Sequence, residues 1–355
     1  MGSVKALIES TTLTSIPPNY AYNTTSNTCN QQNAIDPVEL EGQIPTIDYS
    51  MLVSGSGQQR SQCVQQVGEA CRDWGFFYVI NHGVPGEVME RMLGACGDFF
   101  DLREEEKREM EGEEVLDPIR CGTSFNAAVE QVFFWRDFLK VFVHPIFHSP
   151  DKPPGFSDIS LNYSKKVRAV MLELLGAISE SLGVDKCYIE KEMELEHGLQ
   201  ILAANLYPPC PQPELAMGMP PHSDHGLLTL LIENQGHGLQ IHHNGMWIHV
   251  NNAPPSSFLV NIADHLEILS NGKYKSVVHR AVVNNKAARI SVAMAHGPAL
   301  DKVVEPAPEL VKNGGYKAKY IGMKYKDYLA SQQGSQLNGK SCLERLRIEC
   351  EPSTK

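Results

Sequence analysis

The sequence lacks long apolar runs, and no stretch approaches the roughly 18–20 consecutive apolar residues that a membrane-spanning helix needs. It also lacks an excess of positive charge, because 31 Lys and Arg residues face 42 Asp and Glu residues, for a net charge of −11. An acidic chain binds phosphate backbones and anionic membranes poorly. We therefore expect neither a nucleic acid nor a membrane as a partner. The first twenty residues contain no apolar segment of the secretory type.

The nine cysteines lack any regular spacing, and no C-x-x-C motif is present. An odd number cannot pair completely, so the pattern fits neither a zinc ribbon nor a secreted disulfide framework. We interpret them as free thiols in a reducing compartment and expect a cytoplasmic location. The thirteen histidines are distributed differently, since nine of them lie between His222 and His296. This clustering points to metal or acid–base chemistry in that part of the chain.

The pattern of apolar residues predicts an α+β protein with four regions. Residues 1–42 are rich in Asn, Thr, Ser and Gln and are expected to form a loosely ordered arm, and residues 43–198 a mixed, helix-rich region. Helical spacing of apolar residues predicts helices over about 59–73, 85–100 and 162–182. From about residue 199 the period changes to two, which predicts a barrel or sandwich of short strands up to residue 330. Residues 331–355 are left as a C-terminal tail.

The clearest chemical feature of the strand-rich region is the motif His222-Ser-Asp224. In an extended chain residues i and i+2 point the same way, so His222 and Asp224 can bind one ion while Ser223 faces away. His279, in a second strand-like segment, is a candidate third ligand. Two histidines and one carboxylate with open positions suit a non-haem Fe(II). The same three ligands also fit zinc.

Two further segments offer groups that bind anions. Arg289 and Ser291 share one face of a predicted strand, and an Arg inside a barrel needs an anionic partner, which its fork binds in a bidentate way. That anion is either a ligand or an Asp or Glu of the chain itself. Asn205 and Tyr207 share a face just before a proline-rich turn and offer an amide and a hydroxyl to an acidic ligand.

The order of these motifs resembles that of the plant 2-oxoglutarate/Fe(II)-dependent dioxygenases, in the branch of flavanone 3-dioxygenase-like and hyoscyamine 6-dioxygenase-like enzymes. The sequence contains N-x-Y-P-P-C-P from Asn205, then H-x-D, then a His, then R-x-S ten residues later. The segments WGFF-x-x-x-NHG from Trp74 and FFDLREEEK from Phe99 resemble the N-terminal region of that family. The resemblance covers about residues 43–330.

The resemblance implies a fold and a set of ligands. It implies a double-stranded β-helix, or jelly roll, over residues 199–330. Its metal ligands for Fe(II) are His222, Asp224 and His279. Its residues for the cosubstrate 2-oxoglutarate are Arg289, Ser291, Tyr207 and Asn205. O₂ is the oxidant, and ascorbate is the expected activator.

The family's reaction implies hydroxylation of an unactivated C–H bond, with release of succinate and CO₂. The expected substrate is a small, largely apolar plant metabolite or hormone, such as an alkaloid, a terpenoid, a coumarin or another phenolic. Flavonoid-acting relatives carry Phe, Glu and Lys where this chain has Ala295, Gly297 and Ala203, so a roomier and less polar pocket is expected. A flavonoid remains an alternative substrate.

The pocket walls are predicted from nearby residues. Phe125 and Phe134 are candidates for one wall, Ala295 for another, and His296 for a contact with the substrate. Arg289 is the single positive charge that the sequence lets us place inside this pocket.

Three other classes of protein remain possible on the sequence alone. An oxidase of the aminocyclopropane-carboxylate type shares these motifs but uses ascorbate instead of 2-oxoglutarate. A zinc hydrolase and a non-catalytic ligand-binding barrel are the others, although a silent barrel has no need to keep both the metal triad and the Arg-x-Ser motif. Asp224 disfavours a halogenase, which leaves the carboxylate position to chloride. The sequence does not indicate the oxidised carbon or the oligomeric state.

Overall fold

The computed structural model describes residues 2–10, 13–22, 34–35, 44–125, 127, 129–234, 238–251, 253–314 and 317–348. The helices in this part of the chain are α1 (Val4–Ser10), α2 (Ser50–Val53), α3 (Gly57–Asp73), α4 (Gly86–Phe100), α5 (Glu104–Arg108), α6 (Phe156–Leu182), α7 (Tyr188–Glu192), α8 (Asp264–Leu269), α9 (Pro308–Gly314), α10 (Tyr325–Gln333) and α11 (Ser341–Glu344). The strands are β1 (Ala34–Ile35), β2 (Thr46–Asp48), β3 (Phe76–Ile80), β4 (Ile119–Thr123), β5 (Asp137–His144), β6 (Gly198–Tyr207), β7 (Met219–His222), β8 (Leu228–Glu233), β9 (Leu239–His243), β10 (Met246–His249), β11 (Phe258–Ile262), β12 (His279–Ala281), β13 (Arg289–Ala299), β14 (Val303–Val304) and β15 (Met323–Lys324).

Two sheets face each other and enclose a cavity. The larger has eight strands in the order β2-β3-β11-β8-β13-β6-β5-β4, and the smaller has five in the order β1-β10-β9-β12-β7. Side chains from both sheets line the space between them. Such a double-layered arrangement of short, mainly antiparallel strands is a jelly roll. The prediction of an α+β fold with a jelly-roll core is confirmed.

The long helix α6 packs against α3 and α4 on the helical side of the molecule. Its apolar stripe, which includes Val167, Leu174 and Ile178, is buried. The helix begins six residues before the predicted start at 162, directly after Gly155, and ends at Gly183. Both glycines have positive φ, 83° and 85°, a conformation that glycine adopts without steric cost. The sequence therefore predicted the end of the helix at Gly183 correctly, but it did not predict the start after Gly155.

The structure corrects the predicted N-terminal arm in part. The buried carboxylate of Asp137 accepts hydrogen bonds from the backbone N–H groups of Val4 and Lys5, at 2.8 and 2.9 Å. Tyr20 is also buried, in an edge contact with Trp135. Residues 2–10 and 13–22 are thus packed against the body of the protein. Most of residues 23–43 lie outside the described part of the chain.

The other predicted boundaries also change. Strands β2, β3, β4 and β5, from the predicted N-terminal region, belong to the same eight-stranded sheet as the strands after residue 199. The predicted C-terminal tail contains the end of α10 and all of α11, and Gln332, Gln333 and Leu337 line the cavity. His265 lies in the buried helix α8. Residues from all three regions therefore build one site.

All seven cysteines in the described ranges are free thiols. No helix in those ranges combines the length and apolarity that crossing a membrane requires.

Candidate active site

Three predicted metal ligands meet in the lining of the cavity. His222 is the last residue of β7 and lies directly opposite His279, the first residue of β12, in the antiparallel ladder. Asp224 lies in the turn after β7. Its Oδ1 is 3.8 Å from Nε2 of His222 and 3.7 Å from Nε2 of His279. Among the described residues this is the one group of three or more ligand side chains close enough to share an ion.

Hydrogen bonds on the far atoms orient these three side chains. Nδ1 of His222 bonds the carbonyl oxygen of Pro220 at 2.8 Å, and Nδ1 of His279 bonds that of Val277 at 3.2 Å. Oδ2 of Asp224 accepts from Thr229 Oγ1 at 2.7 Å and from Asn261 Nδ2 at 3.0 Å. The two Nε2 atoms and Oδ1 of Asp224 are thereby left to face one another. Such outer hydrogen bonds are typical of metal ligands.

The charge states also suit a metal cation. Burial lowers the pKa of His222 to about 3, so its ring is neutral at physiological pH. Burial by itself raises the pKa of Asp224, but the two histidines and the bonds from Asn261 and Thr229 outweigh it and lower the pKa to about 2. A neutral imidazole and an ionised carboxylate are the forms that bind metals. The donor set of two imidazole nitrogens and one carboxylate oxygen therefore fits Fe(II).

Four predicted cosubstrate residues form two cross-strand pairs on the cavity wall that the larger sheet provides. Arg289 lies opposite Tyr207, and Ser291 lies opposite Asn205, in the ladder of β13 and β6. The guanidinium of Arg289 lies over the Tyr207 ring, 5.1 Å from its centroid. Nδ2 of Asn205 donates to Oγ of Ser291 at 3.3 Å. The sequence predicted that Arg289 and Ser291 share one face of their strand, and that Asn205 and Tyr207 share one face of theirs. The register of β13 and β6 brings these two faces together.

Arg289 already has an acidic partner. Its Nε donates to Oε2 of Glu233 at 2.7 Å, and its Nη2 contacts the same oxygen. Glu233 ends β8 and is the partner of Ser291 on the other side of β13. The sequence left open whether Arg289 pairs with a ligand or with an acid of the chain. The structure shows the acid, and the guanidinium still lines the cavity.

The metal ligands and Arg289 line the same cavity. Small side chains at Ala203, Ala293 and Ala295 line one wall, and Phe125 and Leu231 contribute to others. Ala295 and Phe125 were predicted here. The absence of Phe and Lys side chains at 295 and 203 leaves this wall open.

Two predicted wall residues do not line the cavity. His296 neighbours Ala295 on β13 and therefore faces the opposite side of the sheet. There it is buried, and burial together with the charge of Arg168 of α6 lowers its pKa. Phe134 belongs to a buried cluster with Phe125 and Met217, but it is not among the lining side chains. The prediction of His296 as a substrate contact missed the strand alternation that follows from placing Ala295 in the pocket.

The sequence analysis missed most of the positive charge in the cavity. Besides Arg289, the lining includes Arg120, Arg136, Lys140 and Arg280. Arg136 donates from Nε to Oδ1 of Asn205 at 2.7 Å and from Nη1 to the carbonyl oxygen of Ser124 at 2.9 Å. The available signal was the period-two spacing that relates Arg136, directly before β5, to Lys140 within it. Arg289 is therefore not the single positive charge in this pocket.

The remaining histidines near the motif have local structural partners. Nδ1 of His225 bonds the hydroxyl of Tyr325 at 2.9 Å, and Nδ1 of His265 accepts from the backbone N–H of Gly226 at 3.0 Å. His225 also lines the cavity. Asp264 accepts hydrogen bonds from Tyr328 and Ser223, so its carboxylate ties helix α10 to the metal-ligand motif.

Comparison with known proteins agrees with this geometry. Residues 198–298 match the 2OG-Fe(II) oxygenase superfamily, and residues 44–161 match the N-terminal region of non-haem dioxygenases in morphine synthesis. The chain is 44% identical to 2-oxoglutarate-dependent dioxygenase 19 of Oryza sativa subsp. japonica, over 86% of this chain and 90% of that protein. It is 37% identical to flavanone 3-dioxygenase 2 of the same plant, over 89% and 91%. The crystal structure of JOX2 in complex with 2OG, Fe and JA superposes with a TM-score of 0.86 at 28% identity, covering 98% of each chain.

The fold, the His-Asp-His cluster and these similarities together define an iron-dependent oxygenase. The chain belongs to the 2OG-Fe(II) oxygenase superfamily and is a 2-oxoglutarate-dependent dioxygenase. Its cofactor is Fe(II), and its cosubstrate is 2-oxoglutarate.

Proposed function

We propose that this enzyme hydroxylates an unactivated C–H bond of a small organic metabolite held in the cavity between the two sheets. His222, Asp224 and His279 hold the iron, and Arg289, Ser291, Tyr207 and Asn205 hold 2-oxoglutarate. The observation that carries this proposal is that the metal triad and the Arg289–Ser291 pair open into one cavity. Residues 199–330 supply these groups, while residues 43–198 and 331–348 complete the walls.

The net reaction converts a C–H bond, 2-oxoglutarate and O₂ into a C–OH group, succinate and CO₂. Bound iron would supply the redox chemistry. The protein contributes placement. The Arg289 guanidinium binds the distal carboxylate, and the hydroxyl groups of Ser291 and Tyr207 complete that site. The apolar wall of Ala203, Ala293 and Ala295 leaves room for the substrate and keeps water away from the reacting carbon.

The names of similar proteins give an indication of the substrate class. One similar protein is a flavanone 3-dioxygenase, another is an oxoglutarate-dependent flavonoid 7-O-demethylase from Ocimum basilicum, and JOX2 was crystallised with JA. We propose that the substrate is a small, largely apolar plant metabolite or hormone. Alkaloids, terpenoids, coumarins and other phenolics are the candidates, and a flavonoid is the alternative. Ascorbate is proposed as activator. The seven free thiols support a reducing compartment, and we propose the cytoplasm.

The decisive experiment follows the cosubstrate. The enzyme, loaded anaerobically with Fe(II), is incubated with 2-[1-¹⁴C]oxoglutarate, O₂ and a panel of the metabolite classes named above. We expect substrate-dependent release of labelled CO₂ together with one equivalent of succinate per hydroxylated product. Product formation that needs ascorbate but not 2-oxoglutarate would instead indicate the ascorbate-dependent oxidase chemistry. Complete absence of release with every compound would overturn the proposal.

A further inference from the structure

Two cationic side chains lie side by side at the outer strands of the larger sheet. Arg120 of β4 is the direct partner of Lys140 of β5, and Lys140 is the direct partner of Ala203 of β6. Ala203 in turn pairs with Ala293 of β13. Direct cross-strand partners point to the same face, and all four residues line the cavity. We refer to Arg120 and Lys140 as the cationic rung.

The rung is unfavourable for an empty pocket. Like charges that are directly opposite in a ladder destabilise the pair. Burial and the nearby charges of Arg136 and Arg120 lower the pKa of Lys140 well below its usual range, and burial also lowers that of Arg120. A bound group of opposite charge would offset this repulsion between the two cations.

The protein itself supplies little compensation. Nζ of Lys140 donates to the neutral Oε1 of Gln333 at 2.5 Å and lies 4.9 Å from the centre of the Phe125 ring. Nε of Arg120 is buried without a hydrogen-bond partner in the described part of the chain. The acids that act on the two cations, Asp117 and Asp224, form no ion pair with them within 4 Å. The rung therefore faces the cavity with unused capacity to bind an anion.

The cosubstrate does not fill this role. In the proposed function its distal carboxylate binds Arg289, which is the cross-strand partner of Tyr207. Lys140 of the rung is the partner of Ala203, four residues before Tyr207 in β6. At a rise of roughly 3.4 Å per residue the backbone positions of the two levels, at Tyr207 and at Ala203, are about 14 Å apart. The second carboxylate of 2-oxoglutarate would lie at the iron ligands, so neither of its carboxylates is left for the rung. The two positive levels therefore serve two different anions.

We propose that the cationic rung binds a carboxylate of the substrate, so that the enzyme oxidises an organic acid. This inference rests on the proposed function, because it concerns the substrate of the same cavity. The Arg120 fork suits a carboxylate, which it binds in a bidentate way, and the Lys140 ammonium adds a second donor. The methyl groups of Ala203, Ala293 and Ala295 leave room for the body of the acid between the rung and the metal ligands.

The first test compares acids with their amides, which have nearly the same shape and no charge. Benzoate, phenylacetate, 3-phenylpropanoate and cyclopentylacetate are each titrated beside the primary amide, into enzyme holding Fe(II) and 2-oxoglutarate without O₂. We expect at least one acid to bind at least about tenfold more tightly than its amide, a ratio equal to about 1.4 kcal/mol. Equal or weaker binding of all four acids relative to their amides would overturn the inference.

The second test removes the charges. In Lys140→Met and Arg120→Gln the preference for acid over amide is expected to fall to near one, while the affinity for 2-oxoglutarate is retained. The unfolding temperature of the ligand-free Lys140→Met variant is expected to equal or exceed that of the wild type, because the like-charge contact is gone. Lys286→Gln, which removes one exposed cation, is the matched control and should keep the preference. A Lys140→Met variant that loses affinity for 2-oxoglutarate but keeps its preference for acids would overturn the inference.

The two proposals fail in different ways. Acids that bind selectively without forming succinate would support the rung and contradict the proposed hydroxylation. Succinate formed equally well with amides and acids would support hydroxylation and overturn the rung.

Discussion

The Nε–H of Arg136 donates a 2.7 Å hydrogen bond to Oδ1 of Asn205, and this bond determines which way the Asn205 amide faces. With its oxygen held by Arg136, Asn205 turns its Nδ2 toward Oγ of Ser291. Arg136 is a positioning residue for the proposed cosubstrate site. We expect Arg136→Met to raise the KM for 2-oxoglutarate about tenfold, since a hydrogen bond to a charged group contributes roughly 1.5–3 kcal/mol. The KM and kcat are measured separately.

Arg136 is also buried, so its variant needs a control for folding. Arg136→Lys keeps a positive donor and is expected to recover part of the KM change. An unchanged KM combined with a lower unfolding temperature would show that Arg136 serves the fold alone.

The proposed metal site predicts a graded loss of iron affinity. His222→Ala and His279→Ala each remove a ligand, so calorimetric titration with Fe(II) under anaerobic conditions should detect no tight site and turnover should be lost. Thr229→Val removes the hydroxyl that holds Oδ2 of Asp224, and such outer changes weaken metal binding by roughly 10–100-fold. His197→Ala, at an exposed histidine, is the matched control and should bind Fe(II) like the wild type. Tight Fe(II) binding in both ligand variants would refute the assignment.

Glu233 competes with the cosubstrate for the charge of Arg289. Glu233→Gln keeps an oxygen acceptor for Nε of Arg289 but removes the opposing negative charge. We therefore expect the Kd for 2-oxoglutarate to decrease several-fold, while Arg289→Ala should increase it strongly. Titration of 2-oxoglutarate into the Fe(II) enzyme without O₂ measures both. If Glu233→Gln weakens binding, the carboxylate serves to orient Arg289 rather than to oppose the ligand.

Glu267 ties the C-terminal segment to helix α8. Its fully buried carboxylate accepts hydrogen bonds from Lys340, Tyr320 and the backbone N–H of Ser276. We expect Glu267→Gln to lower the free energy of unfolding at pH 7 by about 3 kcal/mol, the cost typical of breaking a buried ion pair. Denaturant titration measures this value, and Glu344→Gln, at an exposed glutamate, is the control.

The same residue gives a pH dependence. Burial by itself raises the pKa of Glu267, but Lys340 and the hydrogen bonds outweigh it and lower the pKa below its usual range. A lowered pKa in the folded state means that the ionised group stabilises the fold at neutral pH, and that this stabilisation is lost as pH falls through the folded-state pKa. The difference between wild type and Glu267→Gln should therefore shrink below about pH 4. A difference that stays constant down to pH 3 would contradict this account.

The sequence predicted the parts of the site that depend on local spacing. The i, i+2 relation placed His222 with Asp224 and Arg289 with Ser291, because neighbouring residues of an extended chain alternate between faces. The order of motifs then related these pairs to one family. The change to a period of two at about residue 199 coincides with the start of β6 at Gly198.

The parts that the sequence did not predict depend on contacts between distant segments. The cationic rung exists because β4 pairs with β5 and β5 with β6, in a register that no single segment specifies. The contact of Arg289 with Glu233 likewise depends on the pairing of β13 with β8. The composition of residues 1–42 suggested little order, yet Val4 and Lys5 bind Asp137, more than 130 residues away. Local propensity carries no information on such partners.

The cavity wall formed by Gln332, Gln333 and Leu337 comes from a different part of the sequence than the iron ligands. His279, the last of the three ligands in the sequence, lies 53 residues before Gln332. Substitutions at these three wall positions can therefore change the shape and polarity of the cavity without removing a metal ligand.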